Sequence, residues 1–127
     1  GAPALVDRLL AEGRGLDSVP LIHVRSPANQ HWAGWPDYFQ ARGLARGRAG
    51  GQHFDNYVQA AQAVYDGRGL MLGWRSITGR AVQAGTLRHW PGGTVDLGTS
   101  YFLTTNAMPS QDTGVFVDWV RAQVAAE

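Results

Sequence analysis

One stretch constrains the fold of this chain more than any other: residues 52–75, QHFDNYVQAAQAVYDGRGLMLGWR. Its apolar residues recur at helical spacing, at Val58, Ala61, Val64 and Tyr65. Asp55 or Asn56 is predicted to be the N-cap of this helix, because a side-chain oxygen there can accept hydrogen bonds from the unpaired backbone N–H groups. Gly67-Arg68-Gly69 predicts a positive-φ stop, and Leu70-Met71-Leu72 predicts a short strand buried on both faces.

Two corners of this unit predict a ligand pocket. The corners are Phe54–Tyr57 and Gly73–Ser76, and each lies between a predicted strand and a predicted helix. Open α/β sheets bind small molecules outside the carboxyl ends of their strands. The sequence therefore predicts a small-molecule pocket at these corners before it indicates any chemistry.

The remaining pattern predicts alternating helices and strands. Further helices are predicted over Ala4–Glu12, from Trp32 to about Arg42 with Pro36 in the first turn, from a Ser76 cap to Gly85, and from a Thr113 cap through Val124. Further strands are predicted over Val19–Arg25, Leu87–Trp90 and Ser100–Thr105. Trp32, Trp35 and Phe39 are interpreted as a helix stripe that packs on the sheet or on a neighbouring protomer. This order predicts an α/β fold with mainly parallel strand pairing.

The composition excludes several classes of protein. With 127 residues the chain forms one domain or a large part of one, and its start at Gly1 indicates a piece of something longer. The formal net charge of +1 provides no basic field for nucleic-acid binding by this chain alone. No cysteine is present, which excludes disulfides and thiolate sites. No apolar run predicts a membrane span or signal peptide, so we expect a cytoplasmic location and no membrane partner.

No enzyme motif is recognisable. The four histidines form no HxH or HxxxH pair of the kind that binds metals. Gly67-Arg68-Gly69 leads into a strand, whereas a dinucleotide or phosphate loop must open a helix. There is no Gly-x-Ser-x-Gly elbow. We therefore predict no catalytic residue, no metal site and no cofactor.

Several short motifs follow one another along nearly the whole chain. They are Ala2-Pro3-Ala4-Leu5, Pro20-Leu21-Ile22-His23, Phe54-Asp55-x-Tyr57, Gly67-x-Gly69-Leu70-x-Leu72-Gly73-Trp74, Ala84-Gly85-x-Leu87, Tyr101-Phe102-Leu103 and a last helix with Phe116 and Trp119. Their order and spacing resemble the C-terminal part of the effector-binding domain of LysR-type transcriptional regulators. The Phe-Asp corner is similar to the branch of glycine-cleavage and β-lactamase regulators.

The resemblance implies a type-2 periplasmic-binding-protein fold, in which two α/β subdomains enclose an effector cleft. Residues 1–99 would be the second subdomain. Residues 100–127 would supply the return strand and C-terminal helix of the first subdomain. The family's winged helix-turn-helix lies outside this sequence, so DNA would be bound only through that missing N-terminal domain.

The resemblance and the chemistry of the two corners together select seven candidate effector-binding residues. They are Tyr57, Asn56, Arg25, Ser26, His23, Tyr101 and Trp74. Tyr57 and Asn56 lie at the start of the central helix, where free N–H donors suit a carboxylate or another anion. Asn56 has an N-cap role as its structural alternative, and Asp55 is expected to be a cap or a structural partner.

The other candidates follow strand ends. His23 and Arg25 project from the end of the first strand, where Arg25 can bind a carboxylate with two N–H groups and Ser26 adds a hydroxyl. A purely structural role is the alternative for His23. Trp74 with Tyr57 and Tyr101 would make an aromatic wall, which suits a ring or a quaternary ammonium group. Core packing is the alternative for Trp74.

The function expected from the resemblance is effector sensing by a transcription regulator that forms a homodimer or tetramer. The effector would be a small polar metabolite: an amino acid, a small carboxylate and a quaternary ammonium compound all remain compatible. The alternative is a solute-binding domain of the same fold used for uptake. An enzyme built on a related fold, of the prephenate dehydratase or porphobilinogen deaminase type, comes third.

Overall fold

The computed structural model describes residues 1–28, 30–45, 50–98, 100, 102–108 and 110–125. Within these ranges the helices are α1 (Pro3–Ala11), α2 (Trp35–Ala41), α3 (Tyr57–Tyr65), α4 (Arg75–Gln83) and α5 (Gln111–Ala125), with a 3₁₀ turn at Leu16–Ser18. The strands are β1 (Leu21–Val24), β2 (Gly51–Phe54) and β3 (Leu70–Met71). They form a three-stranded parallel sheet in the order β2-β1-β3. Mixed helices and strands around a parallel sheet are compatible with the predicted α/β class.

The sheet separates two hydrophobic clusters. Side chains of a strand alternate between its two faces, so successive residues of β1 enter different clusters. Leu21 and its register partner Leu70 pack with residues of α1 and α2. Ile22 packs with residues of α3 and with Leu87, and α4 covers the same cluster. The parallel sheet is thus covered by helices on both faces, and the carboxyl ends of its strands share one edge.

Local signals fix both ends of α3, as predicted. Asn56 is the N-cap, and its side-chain oxygen accepts the backbone N–H of Gln59 at 2.9 Å. Gly67 follows the helix with a φ of 72°, a conformation that glycine adopts without the steric cost of a Cβ. The chain then enters β3 at Leu70, which is buried. The predicted strand to Leu72 is one residue too long.

Helix α2 begins later than the sequence predicted. It starts at Trp35, so Trp32 lies before the helix in a segment without regular secondary structure. Pro36 occupies the first turn, as expected, because a helix start does not need its missing N–H. The Asp37 carboxylate accepts the backbone N–H of Gly34 at 2.7 Å, and this hydrogen bond holds the pKa of Asp37 below its ordinary value. These contacts fix the helix start.

The caps predicted for α4 and α5 are wrong. Helix α4 already contains Ser76, because its N-cap is Trp74. Helix α5 begins at Gln111, and the Ser110 hydroxyl accepts the backbone N–H of Thr113 at 3.3 Å. Ser110 therefore has the capping role that was predicted for Thr113.

The predicted strand at Leu87–Trp90 does not form. The backbone N–H of Leu87 donates to the carbonyl of Ala81 in α4 at 3.1 Å. Arg88 exchanges two backbone hydrogen bonds with Gly1 rather than with a strand of the sheet. Leu87 is buried, but against the α3 cluster. The strand predicted from its apolar character is therefore wrong.

The predicted strand at Ser100–Thr105 is also wrong wherever the structure describes it. Residues 100 and 102–105 are in no strand, and Tyr101 lies outside the described residues. Phe102 is 85% exposed, so no sheet covers it. The predicted last helix does form as α5, yet none of its described residues is buried.

Candidate functional site

A pocket of about 240 Å³ lies at the carboxyl edge of the sheet. It is bordered by the end of β1, by residues 32–36 leading into α2, and by residues 72 and 74 after β3. His53 of β2 and Tyr57 in the first turn of α3 complete the lining. Each of the two predicted corners thus contributes one lining residue, Tyr57 or Trp74, and most of the others come from the end of β1 and from residues 32–36.

The crevice exists because β1 and β3 separate early. They pair only through Leu21 with Leu70 and Ile22 with Met71. Beyond this point the carbonyl of Ile22 accepts the indole N–H of Trp35 at 2.9 Å. A side chain of the α2 segment thus binds β1 at the end of the β1–β3 pairing.

The chain connections open the same crevice. After β1 the chain passes to α2, which packs on one face of the sheet. After β3 it passes to α4, which packs on the other face. The two connections leave adjacent parallel strands in opposite directions, which defines a topological switch point. Such points are the preferred ligand sites of open α/β sheets.

Three aromatic rings form one side of the pocket. Trp32 meets Trp74 edge to face, with ring centroids 5.8 Å apart, and Tyr57 meets Trp74 at 6.3 Å. The Tyr57 hydroxyl accepts the backbone N–H of Trp74 at 3.0 Å. This hydrogen bond connects the start of α3 to the end of the β3 segment. Tyr57 and Trp74 therefore lie together, as the sequence predicted, and Trp32 is an addition to their wall.

Two histidines face each other across β1 and β2. His23 and His53 are register partners, and their ring centroids are 4.4 Å apart. Gly51 leaves room for this arrangement, because a Cβ there would collide with the His23 ring and the Leu21 carbonyl. Burial lowers the pKa of His23, and the charge of His53 lowers it further. His23 is therefore neutral at pH 7, with one ring nitrogen as donor and the other as acceptor.

Arg25 provides the cation among the lining residues. Its Nη1 lies 2.7 Å from Oδ1 of Asp55, and both side chains are mostly exposed. Asp55 is therefore a structural partner, one of its two predicted roles. An exposed ion pair of this kind contributes little stability, about 0–1 kcal/mol. Its effect is to hold the guanidinium at the mouth of the pocket.

Asn56 and Ser26 are not among the described residues that line the pocket. Asn56 caps α3. Ser26 binds the backbone of Trp32, accepting its N–H at 2.9 Å. Ser26 thus positions a wall residue instead of facing the pocket. Tyr101 lies outside the described residues, so its predicted role stays a prediction.

Sequence reasoning missed several lining residues. Trp32 and Trp35 were interpreted as one helix stripe, because their spacing of three fits a helix. Trp35 does pack in the core as expected, but it also borders the pocket. His53 was weighed only as a metal ligand. A usable signal was present, because His53 and Phe54 are successive strand residues and their side chains point to opposite faces of the sheet. The strand register then places His53 beside His23.

The charge and ligand types of the site limit its chemistry. No aspartate or glutamate is among the described residues that line the pocket. Across the part of the chain that the structure describes, no group of three or more His, Asp or Glu side chains is placed to hold a metal ion. The arrangement offers aromatic faces, imidazole nitrogens and one guanidinium, which are groups that bind and orient a small molecule.

Comparisons with known proteins give no relative for this site. No family model, no curated protein and no solved structure matches this chain. None of the helices in the described ranges has both the length and the apolar character needed to cross a membrane.

Proposed function

We propose that the chain is the effector-sensing part of a LysR-type transcription regulator and binds a small polar metabolite in the pocket beside Trp74. The observation that carries this proposal is the position of the pocket at the switch point between β1 and β3. His23, Arg25, Tyr57 and Trp74, which were selected from the sequence, all line it. On this proposal the protein acts in the cytoplasm, and no bond is made or broken.

The proposed fold is of the type-2 periplasmic-binding-protein kind. Residues 1–99 would be the second subdomain, and the three-stranded parallel sheet with helices on both faces is compatible with that assignment. Residues 100–127 would belong to the first subdomain. The lack of any buried residue among the described positions of α5 supports this division. DNA binding would reside in a winged helix-turn-helix of the longer parent protein.

The proposed mechanism is a shift between two arrangements of the domain. The pocket is bordered by segments that follow different strands: residues 32–36 follow β1, and residues 72 and 74 follow β3. An effector that contacts both segments favours the geometry in which they are close. Coupling between two sites in one protein is typically about 1–3 kcal/mol. In a dimer or tetramer that change would reorient the attached DNA-binding domains.

Ligand screening with matched variants tests the proposal. Amino acids, small carboxylates and quaternary ammonium compounds are added to the 127-residue chain, and the melting temperature is measured. We expect at least one class to raise it, because a ligand that binds only the folded state stabilises that state. Arg25→Ala and Tyr57→Phe should each weaken binding about tenfold, which corresponds to about 1.4 kcal/mol. Both variants should remain folded.

The chain offers a control for each variant. Arg80→Ala removes an arginine of α4, and Tyr65→Phe removes a hydroxyl at the end of α3; neither residue lines the pocket. Both controls should bind like the original chain. Binding that is unchanged in the Arg25 and Tyr57 variants would refute this site. No stabilisation by any compound would refute ligand sensing by this chain.

The sequence of the longer parent protein distinguishes the uptake hypothesis from the regulator hypothesis. A DNA-binding domain encoded in frame upstream of Gly1 would support the regulator. An export signal followed by a transport-type first lobe would replace it with solute capture, and the pocket would keep its role.

A further inference from the structure

We infer that the ligand of the pocket is an anion carried on a single flat, unsaturated ring, that is, an aromatic carboxylate. This inference rests on the proposed function and narrows the ligand classes that the sequence left open. It depends on the shape of the walls and on the charges at the mouth.

The walls suit a flat body. Trp32 and Trp74 stand at 70° to each other, and Tyr57 stands at 67° to Trp74, so ring edges and faces both border the space. Aromatic rings prefer edge-to-face and offset-stacked contacts, and a flat ligand ring can make both kinds here. A volume of about 240 Å³ is below the roughly 300–1,000 Å³ of sites for drug-sized ligands. One ring with a small substituent therefore fits better than a larger compound.

The walls are also held in place before a ligand arrives. The Ser26 hydroxyl accepts the backbone N–H of Trp32, and the Tyr57 hydroxyl accepts that of Trp74. The Trp32 indole N–H donates to Gln30 at 3.1 Å. Rings that are already positioned lose little freedom on binding, which favours a rigid ligand of matching shape.

The charges favour an anion. Asp55 contacts Arg25 through Nη1, and a guanidinium has further N–H donors in the same plane. A carboxylate at the mouth would accept charge-assisted hydrogen bonds from that group. His23 and His53 add ring nitrogens near the same place.

The same charges disfavour the other ligand classes. A quaternary ammonium group would meet aromatic faces, but it would lie beside the Arg25 cation. The nearby Asp55 carboxylate is already paired with Arg25 and is not among the described lining residues. The ammonium group of an amino acid would also lack an acidic partner there. Like charges in proximity raise the free energy of binding, so both classes should bind more weakly than a simple acid.

Matched probes test the inference on the 127-residue chain. The probes are benzoate, its neutral analogue benzamide, the non-planar cyclohexanecarboxylate and the cationic phenyltrimethylammonium. Binding is measured by tryptophan fluorescence in a Trp119→Phe background, which removes an emitter that lies outside the pocket. Benzoate should bind about tenfold more tightly than benzamide and phenyltrimethylammonium, because only benzoate carries a negative charge to pair with the Arg25 guanidinium. It should also bind about tenfold more tightly than cyclohexanecarboxylate, because only a flat ring makes both stacked and edge-to-face contacts with the tryptophans.

Variants assign each preference to a side chain. Arg25→Gln should abolish the preference for benzoate over benzamide, and Arg80→Gln should leave it intact. Trp32→Leu should abolish the preference for benzoate over cyclohexanecarboxylate. Trp90→Leu is its control, since Trp90 does not line this pocket.

Each contrary result has a defined meaning. If phenyltrimethylammonium binds as tightly as benzoate, the claim that the ligand is an anion is wrong. If cyclohexanecarboxylate binds as tightly as benzoate, the claim that the ligand has a flat ring is wrong. If aromatic acids fail while another metabolite of the wider panel binds, this inference is wrong and the proposed function stands. If no compound of either panel binds, both are wrong.

Discussion

Helices α3 and α5 both carry apolar residues at helical spacing, but only α3 buries any of them. In α3, Val64 and Ala60 are fully buried, and Ala63 is only 2% exposed. On α5, Val115 is 65% exposed and Trp119 is 58% exposed. The difference shows that an amphipathic pattern indicates an apolar helix face that is stabilised by burial against another element. It does not show that the same stretch of chain provides the cover.

The sheet explains why α5 has no place to pack. Its two faces are already covered, one by α1 and α2 and the other by α3 and α4. The segment before α5 adds no further strand among the described residues, so the sheet gains no new surface. The two regions, residues 1–90 and residues 102–125, therefore differ in packing although both are rich in apolar side chains.

Replacing one tryptophan in each region gives the sharpest test of this difference. Trp35 is 5% exposed and its indole donates to the Ile22 carbonyl. Trp35→Phe removes that donor and leaves a cavity, so we expect a loss of about 2–4 kcal/mol in the free energy of unfolding. Trp119→Phe, in the exposed stripe, should change it by less than about 0.5 kcal/mol. Denaturation by urea, followed by circular dichroism, measures both; similar losses would mean that α5 packs as tightly as the sheet.

A smaller effect is expected from one valine in each helix. Val64→Ala deletes two buried methyl groups and should cost about 2 kcal/mol. Val115→Ala removes the same atoms from a mostly exposed position and should be nearly neutral. The same denaturation experiment compares the two. A cost at Val115 equal to that at Val64 would contradict the view that α5 lacks cover within this chain.

The exposed stripe should also drive self-association. Phe116 and Trp119 stack with ring centroids 6.1 Å apart, and both side chains are exposed. Replacing both by serine should weaken self-association about tenfold, or about 1.4 kcal/mol, in sedimentation velocity at high concentration. The control replaces Val58 and Ile77, which are exposed apolar residues of the first region. A monodisperse monomer before any substitution would show that the stripe does not associate.

The sequence predicted best where the signal was local. The Asn56 cap and the Gly67 turn lie next to the helix that they delimit, so the ends of α3 were predicted well. Its apolar face was predicted less well, because Val58 and Tyr65 are 78% and 46% exposed. Leu87 was predicted to lie in a strand, but it packs against α3, far away in the sequence. An apolar run does not say which surface will cover it, so the strand predicted there is wrong.

The site shows the same limit. Arg25 and Tyr57, which were predicted next to strand ends, both line the pocket, and their role in binding stays a prediction. His53 and Trp32 were missed, because their places depend on the register of β1 with β2 and on where α2 begins. Asn56 was selected for chemistry, but its side chain binds the backbone of Gln59. Polar groups near a helix start serve backbone and ligand alike, and sequence alone does not separate the two uses.

The smallest predicted effect is a pH dependence confined to the first region, because residues 102–125 contain no histidine. Burial lowers the pKa of His23 from its ordinary value of 6.5. As the pH falls through about 6.5, the unfolded chain binds a proton at His23 before the folded chain does, so the free energy of unfolding decreases. Stability from this source is complete above pH 6.5 and is lost as the pH falls through the lower pKa of the folded state.

Urea denaturation between about pH 7.5 and 5.5 measures this slope. His23→Gln should reduce it, and His89→Gln, at an exposed position, should not. The Gly1 amino group, whose pKa burial lowers to about 6, adds a slope of the same sign to every variant, so only the difference between variants reports on His23. An unchanged slope in His23→Gln would mean that the imidazole is as well solvated in the folded chain as in the unfolded one. The His23–His53 pair would then lie at a part of the pocket that is open to solvent.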